Sequence, residues 1–246
     1  MSIAIIIPAR YGSSRYEGKP LIKINKIPLV IRVAIKCSKA IEKKNVFVAT
    51  DDSRIAKVVE NNGFNYIMTS KKCLTGTDRV AEASLKINSK IIINVQGDEP
   101  LINPSDIKKI IQAKKKFKNK VICAFTDLRD DENVNRRSIP KVVMNEKNEL
   151  VYISRNPVPI SKLRNKDKFI NYYKQVCIYA FNKIELKKFV SFKRKSVLEN
   201  IEDIEILRFY ETNIGIKMIK VSNSAVAVDE PADKKKVERI LNEKQS

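Results

Sequence analysis

Histidine is absent from this chain of 246 residues, and its absence restricts the chemistry that the protein can perform. Without an imidazole, the chain cannot contain a Ser-His-Asp triad, a Cys-His dyad or a His-ligated zinc ion. Any catalysis must therefore use carboxylates, amines, guanidinium groups or a metal ion that carboxylates bind.

Paired cysteines are also missing from the sequence. The four cysteines are Cys37, Cys73, Cys123 and Cys177, and none of them belongs to a Cys-x-x-Cys pair. This wide spacing argues against a zinc site, an iron–sulfur cluster and a disulfide-linked scaffold. We expect buried free thiols in a protein of the reducing cytosol.

Apolar runs are short throughout the chain. Residues 3–7 and 91–95 are examples, and neither run could span a bilayer. The apolar run after Met1 ends at Pro8 and Arg10, so the chain does not open with the features of an export signal. We therefore predict a cytoplasmic protein that does not enter a membrane.

Positive charge is abundant, because 49 Lys and Arg face 28 Asp and Glu and give a net charge of +21. This excess favours phosphorylated substrates or polyanions as partners. However, Lys, Ile and Asn are frequent everywhere, and we interpret the lysine runs as solvated surface. A basic nucleic-acid-binding module stays as an alternative. It would need cations beside exposed aromatic side chains, whereas Arg10, Arg15 and Lys19 are grouped in one loop.

Short β-branched runs alternate with longer amphipathic stretches in the first half of the chain. This alternation is typical of a doubly wound α/β fold, a mostly parallel sheet with helices on both faces. We predict strands at residues 3–7, 45–50, 65–69, 91–95, 121–125, 141–144, 150–154, 174–181 and 217–222, and helices at residues 28–41, 53–62, 78–87, 104 to about 116, 199–212 and 231–242.

The regular alternation stops after a polar stretch at residues 127–137. Residues 141–144 and 150–154 then predict a two-stranded excursion from the sheet, with residues 145–148 as its turn. The sequence has no internal repeat and no Pro- or Gly-rich linker. We therefore predict a single domain over residues 1–246, with an inserted excursion at about 138–194.

The loop after the first predicted strand combines glycine, serine and cationic residues. Its backbone N–H groups and cations suit a phosphate cradle at the carboxyl end of a strand. A Walker A loop is a poor alternative, because five residues separate Gly12 from Gly18 and Pro20 follows Lys19. The other alternative is a surface turn with incidental charge.

Two acidic residues follow apolar runs and are candidate ligands of Mg²⁺. Asp98 comes directly after the predicted strand at 91–95, where a carboxylate can hold the ion against phosphate oxygens. Asp98 is too far from Pro104 to cap the next helix, and Asp106 and Asp52 are better candidates for caps. Asp229 comes just before the last predicted helix, where a structural cap is an equal alternative to a metal ligand.

The ordered motifs of the chain resemble those of the cytidylyltransferases that activate 3-deoxy-manno-octulosonate (Kdo) as its CMP derivative. The resemblance covers nearly the whole chain and implies that residues 1–246 form a single nucleotidyltransferase domain of Rossmann-like type. Related enzymes for sialic acids usually carry Gly-Gly-Ser-Lys in the first loop, so the Kdo branch fits better. The motifs are residues 7–15 (IPARYGSSR), 18–21 (GKPL), 49–51 (ATD), 75–79 (TGTDR), 94–100 (NVQGDEP) and 228–231 (VDEP).

The resemblance implies a role for each matching residue. The CTP triphosphate would contact Arg10, Ser13, Arg15 and Lys19, and the cytidine would contact Pro8, Ala9, Arg79 and Gln96. Mg²⁺ would bind Asp98 and Asp229. Arg155 would receive the sugar-acid carboxylate, because a guanidinium is a planar fork of donors. Gln175, Tyr179 and Glu205 would line the same pocket.

The implied reaction is attack of the anomeric hydroxyl of Kdo on the α-phosphorus of CTP. It releases pyrophosphate and forms CMP-Kdo, a precursor of lipopolysaccharide or another surface polysaccharide. Lys19, Arg10, Asp98 and Asp229 would be the catalytic residues, with positioning and electrostatics doing most of the catalysis. The excursion at about 138–194 would help to form a homodimer.

Three positions depart from the family pattern. Gln175 stands where the family commonly has His, and Ile206 stands where it commonly has Gln. Glu17 replaces a proline of the phosphate loop. The first two departures leave activation of an amino-octulosonate or a nine-carbon relative as the alternative function. The amide of Gln175 can still form a hydrogen bond with a sugar hydroxyl. Ile206 cannot, and its replacement of Gln would leave substrate binding unchanged only if the Ile206 side chain turned into the core.

Overall fold

The computed structural model describes residues 1–12, 16–162, 170–224 and 226–243. Among these residues, a nine-stranded sheet dominates the fold, and a short hairpin of β2 and β3 lies apart from it. In chain order the strands are β1 (Ile3–Ala9), β2 (Lys23–Ile24), β3 (Ile27–Pro28), β4 (Val46–Thr50), β5 (Asn65–Met68), β6 (Ile91–Val95), β7 (Val121–Asp127), β8 (Lys141–Met144), β9 (Leu150–Ser154), β10 (Tyr173–Phe181) and β11 (Ile216–Lys220).

The main sheet has the strand order β11-β7-β10-β6-β1-β4-β5. Neighbouring strands are parallel except at β10, which runs antiparallel to both β6 and β7. Strands β8 and β9 form an antiparallel pair that joins the sheet through β10. The predicted mostly parallel α/β sheet is confirmed, and so is the two-stranded excursion.

The helices cover both faces of the sheet. They are α1 (Leu29–Ser38), α2 (Ser53–Asn61), α3 (Gly76–Ser84), α4 (Pro104–Lys116), α5 (Lys183–Ser191), α6 (Val197–Glu202), α7 (Arg208–Glu211) and α8 (Pro231–Glu243). The apolar side chains of α1, α2 and α4 share one core with Ile5 and Ile7 of β1. Those of α3, α5 and α7 share a second core with Ala4 and Ile6, because successive side chains of a strand point to opposite faces.

The predicted elements are confirmed to within about three residues at each end, with one exception. The helix predicted at 199–212 is wrong. Helix α6 ends at Glu202, Asp203 adopts a left-handed conformation with φ of 50°, and a 3₁₀ turn at Glu205–Leu207 leads into α7. Helix α5 has no counterpart among the predicted elements.

The break brings two distant charged residues of this segment together. Arg208 is fully buried and donates from Nε and Nη2 to the Glu199 carboxylate, at 2.6 Å each. In a continuous helix, nine residues would separate the two Cα atoms by about 13.5 Å along the axis. Arg208 also donates to Asp78 of α3 at 2.8 Å. A buried guanidinium thus joins α6, α7 and α3.

The predicted helix caps are partly confirmed. Asp52 caps α2, because its carboxylate accepts a hydrogen bond from the Arg54 backbone at 2.9 Å. The prediction that Asp106 caps α4 is wrong. Asn103 is that cap, and Asp106 instead accepts bonds from the backbone and hydroxyl of Ser222.

The cysteines are free thiols, as predicted. Cys37 and Cys123 are buried, and Cys73 and Cys177 are half-buried. No described helix is long and apolar enough to cross a membrane.

The buried pair of Lys114 and Glu185 gives a test of the packing of α4 against α5. The Lys114 ammonium donates to both carboxylate oxygens, at 2.6 and 2.7 Å, and the Glu185 carboxylate also belongs to the capping box of α5. Lys114→Met should lower the free energy of unfolding by about 3–5 kcal/mol, because it leaves a carboxylate buried without its partner. Urea unfolding measures this.

The double variant Lys114→Met/Glu185→Gln should recover part of the loss, because glutamine keeps a capping oxygen without the charge. A single Lys114→Met variant within about 1 kcal/mol of the wild type would contradict the buried pair.

Candidate active site

The candidate site lies at the edge of the sheet where β1 and β6 end. These strands are parallel neighbours, so the segments that follow Ala9 and Val95 emerge side by side. Together with Val226, Ala227 and Asp229, they line a cavity of about 480 Å³. The nucleotide-binding residues predicted from the sequence that line it are Pro8, Ala9, Arg10, Lys19, Arg79 and Gln96. Ser13 and Arg15, also predicted, lie outside the described residues.

Two glycines permit the backbone geometry of this edge. A Cβ on Gly97 would lie 2.9 Å from the carbonyl oxygen of Pro8, so only glycine lets the two loops approach this closely. Gly18 has a φ of 65°, and its N–H donates to the Tyr11 carbonyl at 3.0 Å. The left-handed turn at Gly18 begins the 3₁₀ turn that carries Lys19.

Lys19 lies between the two carboxylates that the sequence predicted as metal ligands. Its Nζ is 2.8 Å from Asp98 Oδ2 and 3.5 Å from Asp229 Oδ1. Burial alone would lower the pKa of this ammonium, but the charges and hydrogen bonds of Asp98 and Asp229 outweigh burial and raise it. The three side chains therefore form one charged cluster.

Backbone contacts bring Asp229 to this cluster from the other end of the chain. The Val228 N–H donates to the Asp98 carbonyl at 2.9 Å. In the first turn of α8, the Asp233 carboxylate accepts hydrogen bonds from the backbone N–H groups of Asp229 and Glu230, at 2.9 Å each. These contacts fix the Asp229 backbone beside the Gly97–Asp98 turn.

The chemistry of the cluster suits Mg²⁺. No group of three or more acidic or cysteine side chains that could hold a metal occurs among residues 1–12, 16–162, 170–224 and 226–243. Mg²⁺ commonly takes one or two protein carboxylates, with waters and phosphate oxygens as its other ligands. Asp98 and Asp229 supply two carboxylates that already surround a cationic group, so this donor set fits the ion.

Arg79 forms part of the wall of the cavity and is held by the segments that follow β4 and β5. Its Nη2 donates to Asp51 at 2.8 Å, and its Nη1 donates to the Thr69 hydroxyl at 2.5 Å. Asp51 and Arg79, which belong to two different motifs, thus contact each other, and Thr69 also holds the Arg79 guanidinium. The predicted contact of Arg79 with cytidine stays a prediction.

Glu205 lines the cavity, but its carboxylate is bound to the protein. The two oxygens accept hydrogen bonds from the backbone N–H groups of Gly76 and Thr77, at 3.0 and 2.7 Å. These N–H groups belong to the first turn of α3, where a carboxylate is favourable. Burial raises the pKa of Glu205, and these hydrogen bonds oppose the rise. Its predicted contact with the sugar acid stays a prediction.

The two departures from the family pattern lie in different surroundings. Gln175 lines the cavity, and its Nε2 donates to the Tyr179 hydroxyl at 3.0 Å. Ile206 is only 1% exposed and packs in the core beneath α3 and α7. The Ile206 side chain therefore fills the core.

Arg155 is held against the cavity wall by carbonyl groups. Its guanidinium donates to the backbone oxygens of Glu202, Arg137 and Asp203, at 2.5, 2.9 and 2.8 Å. The Glu202 carboxylate in turn accepts a hydrogen bond from the Arg155 N–H at 2.8 Å.

A buried lysine that sequence reasoning missed supports the same wall. Lys141 is fully buried, and its Nζ donates to the carbonyls of Arg136, Ile139 and Arg155, at 3.2, 2.7 and 2.5 Å. Burial lowers the pKa of Lys141, as does the nearby charge of Arg155. A lone lysine in a strand pattern such as 141–144 is the only sequence signal for this contact.

Sequence reasoning also missed further charged groups on the cavity wall. Lys174 is buried and donates to both oxygens of Glu132 at 2.6 Å. Glu99 is buried beside Asp98, and its Oε2 has no hydrogen-bond partner within the part of the chain that the structure describes. Burial raises the pKa of Glu99 to about 8, and the charge of Asp98 adds to the rise.

Comparison with known proteins agrees with this geometry. A family model for cytidylyltransferases matches residues 4–219. The 3-deoxy-manno-octulosonate cytidylyltransferase of Thermodesulfovibrio yellowstonii is 38% identical over 252 residues, covering 96% of this chain and 97% of that protein. The 8-amino-3,8-dideoxy-manno-octulosonate cytidylyltransferase of Shewanella baltica is 34% identical, covering 98% and 99%.

A solved structure gives the same result. It is that of CMP:2-keto-3-deoxy-manno-octonic acid synthetase complexed with CTP, and it superposes with a TM-score of 0.90 at 34% identity. The match covers 99% of this chain and 100% of that one.

Glu205→Gln tests whether this side chain stabilises the start of α3. Glutamine replaces one acceptor oxygen by a donor, so one of the two backbone N–H groups should lose its partner. We expect the free energy of unfolding to fall by about 1–3 kcal/mol. Glu211→Gln, at an exposed carboxylate in α7, is the matched control and should change it by less than about 0.5 kcal/mol. Equal stability of the two variants would argue against the cap.

Proposed function

Because the chain belongs to the cytidylyltransferase family, we propose that it transfers CMP from CTP to the anomeric hydroxyl of Kdo and releases pyrophosphate. The observation that carries this proposal is the cluster of Lys19, Asp98 and Asp229 at the sheet edge, with Arg155 on the wall of the same cavity. A triphosphate and a sugar acid are both anions, and such a cavity offers each of them cationic groups.

The nucleotide half of the site would bind CTP through the loop after β1. Lys19 and Arg10 would contact the phosphates and stabilise the charge that develops on the leaving pyrophosphate. Ser13 and Arg15 would add contacts from the same loop. The backbone of Pro8 and Ala9, with Arg79 and Gln96, would contact the cytidine.

Asp98 and Asp229 would hold Mg²⁺ in the complex. When bound, this ion offsets the charge of the α-phosphate and lowers the pKa of the attacking hydroxyl. The protein residues orient the reactants, so that the hydroxyl and the α-phosphorus meet in line. No step of this mechanism needs a histidine, which agrees with the composition of the chain.

The sugar half of the site would bind the acid through Arg155, Gln175, Tyr179 and Glu205. Two donors of the Arg155 fork remain for a substrate carboxylate beyond those that the backbone carbonyls use. The buried position of Ile206 supports Kdo as the substrate, because a core residue removes no hydrogen bond from the pocket.

The second candidate substrate is 8-amino-3,8-dideoxy-manno-octulosonate. The relative from Shewanella baltica is named for this acid and covers nearly the whole chain. In addition, Glu99 Oε2 has no hydrogen-bond partner among the described residues, and an ammonium group could bind this carboxyl oxygen. A nine-carbon acid is the remaining alternative from the sequence.

A homodimer in the cytoplasm remains part of the proposal. Val151 in the excursion and Ile160 just beyond β9 are exposed apolar side chains, as is Ile201 in α6. Exposed apolar groups of this kind suit a contact between subunits.

A substrate panel tests the proposed function. The purified protein is incubated with CTP and Mg²⁺ and with Kdo, its 8-amino analogue or a nine-carbon sialic acid, and pyrophosphate release is measured. We expect the highest kcat/KM with Kdo. A higher value with either other acid would contradict the choice of substrate, and release with none of them would contradict the function itself.

A further inference from the structure

The position of the Lys19 ammonium bears on how metal and nucleotide enter the site. It contacts Asp98 Oδ2 at 2.8 Å and Asp229 Oδ1 at 3.5 Å, and all three side chains are largely shielded from solvent. A carboxylate-bound Mg²⁺ sits about 2.0–2.1 Å from its oxygen ligands. A divalent ion that used both carboxylates would therefore lie close to the ammonium, compete with it for these two groups and be repelled by its charge.

We propose that Lys19 competes with the metal for the carboxylates of Asp98 and Asp229, and that metal and triphosphate bind cooperatively for this reason. The inference rests on the proposed function, in which Asp98 and Asp229 are the metal ligands. A metal ion that binds alone must displace a half-buried ammonium from the two carboxylates without supplying another anion for it. When the triphosphate is present, its oxygens accept the ammonium as it leaves the carboxylates.

Linkage makes this proposal quantitative. If the triphosphate strengthens metal binding by some factor, the metal strengthens triphosphate binding by the same factor. Coupling between sites commonly amounts to about 5–150-fold. Removal of the ammonium should abolish most of this factor, because the metal then displaces nothing.

The test measures the affinity of the full chain for Mn²⁺ in the absence of sugar acid. The relaxation of water protons reports the bound Mn²⁺. Lys19→Met should bind Mn²⁺ alone at least about fivefold more tightly than the wild type. With CTP present, and with correction for Mn²⁺ bound to free CTP, the wild type should gain more affinity than the variant. This readout needs no turnover.

Lys236→Met is the matched control. Lys236 lines the same cavity but lies near Asp131, so its removal lowers the cavity charge equally without freeing the two carboxylates. Equal Mn²⁺ affinity of the wild type and Lys19→Met would overturn the proposal. So would an equal gain in Lys236→Met, which would indicate a general effect of charge. A failure here would leave the result of the substrate panel unaffected.

A separate observation concerns Lys141, whose ammonium donates to the backbone carbonyls of three residues that line the cavity. Two of its acceptors are Arg136 and Ile139, and the third is Arg155 itself. Lys141 does not line the cavity and is too deeply buried to touch a substrate. We infer that Lys141 is a positioning residue that sets the location of Arg155, again on the basis of the proposed function.

Lys141→Met removes the three hydrogen bonds and keeps the length of the side chain. With the best acid of the substrate panel, its KM for the acid should rise by about tenfold, since a displaced guanidinium loses a charge-assisted contact. Its KM for CTP should stay within about twofold. Lys114→Met is the matched control, because it also removes a buried ammonium but far from Arg155, and it should leave both KM values unchanged.

An unchanged KM for the acid in Lys141→Met, or an equal rise for the acid and CTP, would overturn this inference. If Lys141→Met fails to fold, Lys141→Gln serves instead, because its shorter side chain has two N–H donors and cannot make all three hydrogen bonds of the ammonium. The same selective rise in KM is expected, and its absence would overturn the inference.

Discussion

The contact of one ammonium with two carboxylates is the constraint on which the site depends. Lys19 comes from the loop after β1, Asp98 from the loop after β6, and Asp229 from the segment before α8. Each group alone would be poorly solvated at this depth, and together they largely compensate one another's charge. The cluster therefore requires both ends of the chain to meet at one edge of the sheet.

The part of the cavity wall that holds Glu205 depends on a different kind of constraint, the break in the segment from 197 to 211. The break lets Arg208 contact both Glu199 and Asp78, and it lets Glu205 reach the start of α3. Helix α3 also carries Arg79. The parts of the cavity wall that hold Glu205 and Arg79 are thus joined through α3.

Much of the fold was predictable because alternating runs and caps are local features, as the strand at 91–95 and the cap at Asp52 illustrate. The motifs indicated one site for Lys19, Asp98 and Asp229. Lys19 and Asp98 follow β1 and β6, which end at the same edge of the sheet. Tertiary contacts decided the rest. The pattern over 199–212 is helical, yet the buried pairs of Arg208 overrode it. Likewise, the lone lysine in the strand pattern at 141–144 does not by itself identify the Arg155 carbonyl as the partner of Lys141.

Crystals grown with CTP and Mn²⁺, with data collected at the manganese edge, test the central account most directly. The account predicts an anomalous peak between the carboxylates of Asp98 and Asp229, with Lys19 Nζ moved from these oxygens to the triphosphate. A peak that contacts neither carboxylate, or a Lys19 that keeps its 2.8 Å contact with Asp98 beside a bound metal, would contradict it.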